Sequence, residues 1–430
     1  MAIVKAVLFR ELKFQATRDN FMRLKETNVA SFTPFVEELN VLPSLYSPTL
    51  SYPDFEKVQL NIADHRQSLE NSKGDAVPEF ELLREYLLDN SPARVPVMNG
   101  EDEMKDAYET YKECAQMDLE LMLNGSFRDI WMECLQSFQR LTAIHLNSLL
   151  SEHPFIPTLD CFPIFSGVDE CGCDECWQIL TQDCVSGGDF VSSTVVPCMG
   201  MANTTLEVLT VDSAMLVTLG GHWRERGCQL PSFDGLAKLR IYSPSNHIHW
   251  EVNDDFDNRL KWRIGVETLL DKTHTTLQDL DVSDAQEYPE LPWVSMSRLS
   301  FPCLRRLKVH GLYIDLESLA ADIPQLPELE ELAIANAEIF ARCERDWKPV
   351  FDALRDHQPR MKHISLSGIQ RMDDTGCWGI IIIADELRGD YPGEESCSFP
   401  ESMGNSLQRY LTERGEWDGP LEEWFTEDPA

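Results

Sequence analysis

Apolar residues recur along this chain in a three-part phrase: an apolar position, two variable ones, a second apolar position, one variable residue, and a third apolar position. Val36–Leu39–Val41 and Leu141–Ile144–Leu146 carry it. So do Leu206–Leu209–Val211, Leu236–Leu239–Ile241, Leu277–Leu280–Val282, Leu304–Leu307–Val309, Leu329–Leu332–Ile334 and Met361–Ile364–Leu366. The last two members stand two residues apart. In a strand they share one side, and the residue between them points to the other. From Leu206 onward the phrases begin 30, 41, 27, 25 and 32 residues apart. A strand with one return helix needs roughly 20 to 29 residues, so three of these gaps match or nearly match and two call for insertions.

Between the phrases the apolar period changes from two to three or four. Leu316, Leu319, Ala320 and Ile323 precede Pro324, and Val350, Phe351 and Leu354 precede Pro359. Each run predicts a short helix stopped near a proline. Strand and helix alternating at this period predict an α/β fold: an irregular leucine-rich-repeat solenoid, with a curved parallel sheet and helices on its convex side. Each unit buries its leucines only against its neighbours.

The first 140 residues are patterned differently. Met104, Tyr108, Tyr111, Ala115, Leu119 and Met122 predict a helix over 104–123; further helices are expected over 80–88 and 128–138, and a loop over 60–77. Residues 151–205 are rich in Cys, Gly, Pro and Ser and read as an insertion, and the chain after Arg388 turns acidic. The expected organisation is an N-terminal strand-and-helix region over 1–140, a repeat array over 141–386, and an acidic cap or tail over 387–430.

The opening phrases Val7–Leu8–Phe9–Arg10–Glu11–Leu12, Phe21–Met22–Arg23–Leu24 and Phe35–Val36–Glu37–Glu38–Leu39 resemble those of fungal F-box proteins with irregular leucine-rich repeats. The helix-to-strand passage through Leu135, Phe138, Leu141, Ile144 and Leu146 is similar to theirs as well. The resemblance implies a protein-interaction scaffold like the substrate-recognition part of such a protein, with a ubiquitination substrate as its partner. A substrate adaptor of a cullin-type ubiquitin ligase, with its F-box missing from this chain, is the alternative. The repeats depart from the family pattern at the closing Asn or Cys, where Leu149, Ala285, Leu312, Ala337 and Ile369 stand instead. Other groups must then hold the turns.

Charge narrows the partners. With 37 basic and 73 acidic residues the net charge is −36, a field that repels phosphate backbones and anionic lipid. A protein partner is expected, with no nucleic acid and no membrane, and the overall charge by itself favours a basic one. The longest apolar run, 379–384, is strand-sized, and the apolar residues of 1–9 lack the length and cleavage site of a secretory signal. The 13 cysteines follow no disulfide framework, which suits free thiols in the cytoplasm or nucleus.

Candidate chemistry is sparse. Cys171, Cys173 and Cys176, with Gly172 between them, have the spacing of zinc ligands, though no second pair stands at a standard distance; a zinc-binding protein is a further alternative. His247 and His249 share one side of a strand but have no third ligand in sequence range. None of the familiar catalytic signatures occurs, so no enzyme and no cofactor is expected. The less ordinary pattern lies between the strand leucines, on the expected concave face. There the rows read Lys238, Arg240, Tyr242; then Asp279, Asp281, Ser283; then Arg306, Lys308, His310; then Glu331, Ala333, Ala335; then His363, Ser365, Ser367. Stacked strands would alternate basic and acidic rows, giving either a structural charge ladder or a binding floor with Tyr242 as anchor.

Overall fold

The computed structural model describes residues 10–15, 33–42, 50–57, 60, 101–146, 196–201, 206–226, 230, 233, 235–242, 256–283, 291–340, 347–357, 360–367, 369–372 and 378–381. The chain is α/β and parts into two compact units. One comprises Met1–Leu141, His145–Thr204 and Asn246–Asp254, the other Thr142–Ile144, Thr205–Ser245 and Asp255–Ala430.

In the first unit, strands β1 (Glu11–Gln15) and β2 (Glu38–Leu42) pair in parallel, with Leu12 opposite Leu39 and Phe14 opposite Val41. The first apolar phrase is fully buried at Val36, Leu39 and Val41. Helix α1 (Glu101–Leu123) follows the expected period and buries Met104, Tyr111 and Ala115. Its Tyr108 donates a 2.8 Å hydrogen bond to the Leu50 carbonyl and meets Tyr52 and Phe55 edge-on, both at 5.3 Å. Gly125, at φ 78°, turns the chain into α2 (Ser126–Ser137), where Phe127, Trp131, Cys134 and Leu135 are buried. A left-handed residue here favours glycine because a Cβ would strain the backbone. The short helix α3 (Val196–Met201) buries Cys198, whose thiol lies 3.9 Å from the Arg128 carbonyl. Burial pushes the Cys134 and Cys198 thiols up to about 11, which leaves them poor nucleophiles at neutral pH.

The second unit holds most of the strands that carry the three-part apolar phrase. It begins with Thr142–Ile144, which include the first half of strand β3 (Ala143–Leu146); the Thr142 carbonyl accepts from Glu207 and Val208 at the head of β4 (Val208–Asp212). Next come β5 (Lys238–Tyr242), β6 (Asp279–Ser283), β7 (Arg306–His310), β9 (Glu331–Ala335) and β11 (His363–Ser367), each parallel to its neighbour without a register shift. Leu209, Leu239, Leu280, Leu307, Leu332 and Ile364 therefore form one column, and Val211, Ile241, Val282, Val309, Ile334 and Leu366 a second. From Leu209 to Leu332 and from Val211 to Ile334 both columns are at most 3% exposed.

From β4 to β11 the strands of this sheet are entered in the same way. The carbonyl just before one strand accepts from two successive N–H groups at the head of the next: Glu207 from Ala237 and Lys238, Ala237 from Gln278 and Asp279, Gln278 from Arg305 and Arg306, Arg305 from Glu330 and Glu331, and Glu330 from Lys362 and His363. In the first unit Arg10 receives Glu37 and Glu38 likewise. At four phrases the leading apolar residue closes a tight turn on an apolar residue three before it, whereas Leu277 donates to the Thr273 carbonyl, four before it. Leu141 donates to Phe138, Leu236 to Phe233, Leu304 to Phe301 and Leu329 to Leu326, and all eight side chains are buried. This Phe-or-Leu position extends the phrase at those four places, and the three-part pattern omits it.

Helices return the chain between some strands. Helix α4 (Ser213–Arg226) packs on α5 (Phe256–Thr273) closely enough that a Cβ on Gly265 would lie 2.7 Å from the Leu216 carbonyl oxygen. Helix α5, 18 residues long, fills part of the 41-residue gap. Helix α6 (Leu316–Asp322) starts where Asp315 accepts from the Glu317 and Ser318 amides, and α7 (Trp347–His357) buries Val350, Phe351 and Leu354. Between β6 and β7 the described residues, 291–305, carry no helix. Asp322 organises this loop instead. Its buried carboxylate accepts from Trp293 Nε1 at 2.9 Å and Ser295 Oγ at 2.8 Å, while burial pushes the carboxyl above its usual range against those hydrogen bonds.

The missing Asn or Cys at the repeat turns has a structural replacement. After β7, β9 and β11 the chain forms short strands β8 (Tyr313–Ile314), β10 (Glu338–Phe340) and β12 (Ile369–Met372), which pair in parallel as a second sheet closed by β13 (Trp378–Ile381), antiparallel to β12. The corner between the two sheets is taken by left-handed residues, Gly311 at φ 65° and Asn336 at φ 47°. Gly311 N–H donates to the Ala335 carbonyl and Glu338 N–H to that of Leu312, so backbone bonds hold these turns. Leu312 and Ala337, standing where the closing polar residue is missing, are buried.

Candidate protein-interaction face

The residues between the buried leucines lie on the other face of the second unit's sheet, and the register aligns them in rows. Lys238, Asp279, Arg306, Glu331 and His363 form one; Arg240, Asp281, Lys308, Ala333 and Ser365 a second; Tyr242, Ser283, His310, Ala335 and Ser367 a third. The face opens at β5, because Thr210 and Asp212 on β4 are buried.

The first two rows behave differently despite similar charges. In the first, the Asp279 carboxylate is 7% exposed and takes Lys238 Nζ at 3.1 Å and Arg306 Nη2 at 2.9 Å. A carboxylate held this deep needs both cations, because an unpaired buried charge is costly. Lys238 is 27% exposed and leans over Asp279, whereas Arg306 is 50% exposed and shares its charge with solvent. In the second row Asp281 lies between Arg240 and Lys308, but among the described residues neither cation has a carboxylate within 4.0 Å. Arg240 and Lys308 are both exposed and Asp281 is half-buried. The alternation expected from the sequence is therefore a pairing ladder in one row and a set of outward cations in the other.

In the third row, Tyr242 and His310 are half-buried. His310 Nε2 lies 2.8 Å from Asn336 Nδ2, and burial lowers its pKa despite the opposing pull of Asp281. With Asn336 as donor, that nitrogen must be unprotonated, so His310 adds no charge at neutral pH. The named face thus holds four cations, Lys238, Arg240, Arg306 and Lys308, against Asp279, Asp281 and Glu331, with the deepest charge an acid and the exposed ones bases. On a chain of net charge −36 this is a local reversal of sign.

Cys171, Cys173 and Cys176, like His247 and His249, lie outside the described residues. Among the described residues no group of three or more His, Cys, Asp or Glu is placed to hold a metal ion, and no helix is long and apolar enough to cross a membrane. Sequence reasoning did not find the Asp322 cluster or the second sheet. The Asp322 signal is weak, since one carboxylate among 73 acidic residues does not stand out until Trp293 and Ser295 close on it. No protein-family model matches the chain, and no curated protein matches it in sequence.

Proposed function

We propose that this chain is an irregular leucine-rich-repeat scaffold whose open sheet face binds a protein partner, in the manner of the substrate-recognition part of an F-box protein. The repeated strand entry, the unshifted leucine columns and the Phe-or-Leu turn support the repeat reading: each unit is built alike and buries its apolar residues against its neighbours. The observation that carries the binding role is the placement of Arg240, Arg306 and Lys308 in solvent on strands whose alternate residues are the buried core. Arginine-containing polar patches beside a tyrosine are common in protein interfaces. On this reading the protein works in the cytoplasm or nucleus, and its partner is a candidate ubiquitination substrate.

The test is affinity capture of partners from cells with the full chain and with Arg240→Glu/Lys308→Glu, compared by mass spectrometry, with thermal melts of both proteins. These two residues leave the Asp279 pairs intact, so the melt is expected to hold while a specific partner is lost. A partner set unchanged by the double substitution refutes the assignment of this face.

A further inference from the structure

We infer that the open face takes an acidic peptide segment of its partner in an extended conformation, which rests on the scaffold reading and names the chemistry of what it binds. Whole-chain charge points the other way, toward a basic partner, but it is the wrong quantity at contact distance. Charges farther away than about 8 Å are largely screened at physiological salt, so a bound segment responds mainly to the side chains beneath it. Here those are Arg240, Lys308 and Arg306, all exposed, while Asp279, the acid beside Arg306, is sunk and held by two cations. Asp281 lies between Arg240 and Lys308 without closing on either, so both cations keep their hydrogen-bonding capacity for a ligand. An incoming carboxylate gains charge-assisted hydrogen bonds from them, which a basic segment would forfeit.

The spacing selects an extended peptide. Arg240 and Lys308 stand in one register row two strands apart, about 9.6 Å at the usual interstrand distance. An extended chain of the polyproline II type advances about 3.1 Å per residue with three residues per turn, so acidic residues three apart lie on one side, about 9.3 Å apart, and reach from one cation to the other. Arg306 and Lys308 lie two apart along β7, and Arg306 extends the cationic edge toward the strand entry. Tyr242 and His310 border the same area, the latter neutral, and offer ring surface without adding repulsion for a cation or attraction for an anion. A nucleic-acid strand is the poorer fit, because three exposed cations neutralise few phosphates while the remaining acidic surface repels a long polyanion.

The test uses the full chain and fluorescein-labelled peptides of about twelve residues with Asp, Lys or Ser at every third position in a Gly/Ser background, read by anisotropy, with a thymidine oligonucleotide of equal length as a further probe. The Asp peptide is expected to bind with a Kd below about 1 mM and to weaken as salt rises from about 50 to about 150 mM. Arg240→Glu/Lys308→Glu should reduce that binding by about tenfold or more, and Arg263→Glu/Arg298→Glu, an equal charge change at exposed positions off this face, by less than about twofold. If the first variant is poorly folded by circular dichroism, Arg240→Gln/Lys308→Gln replaces it, with a smaller loss expected. Tighter binding of the Lys peptide, no binding of the Asp peptide, an oligonucleotide bound as tightly, or equal losses in the two variants each overturn the inference. If the Asp peptide fails while captured partners are still lost from Arg240→Glu/Lys308→Glu, only the partner chemistry falls. If the captured partners are also unaffected, the scaffold reading falls with it.

Discussion

Asp279 and Asp281 sit two residues apart on one strand, each flanked across the sheet by two cations, yet the structure gives them different energetic roles. The Asp279 carboxylate is 7% exposed and within 3.1 Å of both Lys238 and Arg306. At about 3 Å and an effective dielectric near 20, the direct attraction is roughly 5 kcal/mol per contact. Desolvation and the ordering of two long side chains offset most of it, and Arg306 is half exposed. A net coupling of about 1–2 kcal/mol between Asp279 and Arg306 follows, toward the lower end for charge-assisted hydrogen bonds. Asp281 and Lys308, in register but without a contact within 4.0 Å, should couple by about 0.5 kcal/mol or less. The assay is a pair of double-mutant cycles with alanine, Asp279/Arg306 and Asp281/Lys308, from urea unfolding followed by tryptophan fluorescence and circular dichroism. Equal couplings, or the larger one at Asp281/Lys308, would refute the claim that one row holds the sheet together and the other faces a ligand.

Two further outcomes follow from the packing. Alanine at Gly220 or Gly265 should lower the melting temperature, because its Cβ would run into the Lys261 carbonyl in the first case and lie 2.7 Å from the Leu216 carbonyl oxygen in the second. Overpacking of this kind costs about 1–3 kcal/mol, more than the helix propensity of alanine returns, and an unchanged or raised melt would contradict the close α4–α5 contact. The second concerns pH. The folded pKa of His310 lies below its ordinary value of 6.5, so its contribution to stability is present above 6.5 and is lost as pH falls through the folded value. Protonation also removes the acceptor for Asn336 at the left-handed turn. The urea midpoint of the wild type should therefore fall more steeply between pH 7 and pH 5 than that of His310→Gln; parallel curves would show that this histidine does not titrate as described.

How far the chain could be read without coordinates depended on the range of the forces involved. Residues such as Leu280 and Val282 declare a strand with one dry side, because burial of alternate positions leaves a period of two in the letters. Once several such strands recur at a solenoid-like spacing, parallel stacking aligns Lys238 with Asp279 and Arg306 almost automatically, and the expected rows are those observed. The α1 helix was legible for the same reason, with Tyr111 and Ala115 repeating on one turn-by-turn face.

Other features lay beyond local pattern. β8 and β10 are two and three residues long, too short for any periodicity, and they exist because left-handed corners at Gly311 and Asn336 bring the segments after β7 and β9 alongside. The buried role of Asp322 depends on a loop folding back from nearly thirty residues away, so nothing beside it in the sequence announces it. The difference between Asp279 and Asp281 is of the same kind. Composition and period make them equivalent, and only the distances from side chain to side chain across the sheet decide which acid is consumed by its neighbours and which leaves two cations in solvent. The sequence by itself determined the strands, their dry face and the charged rows; tertiary structure decided the corners and the pairing, because those energies depend on ångström-scale separations between residues far apart in the chain.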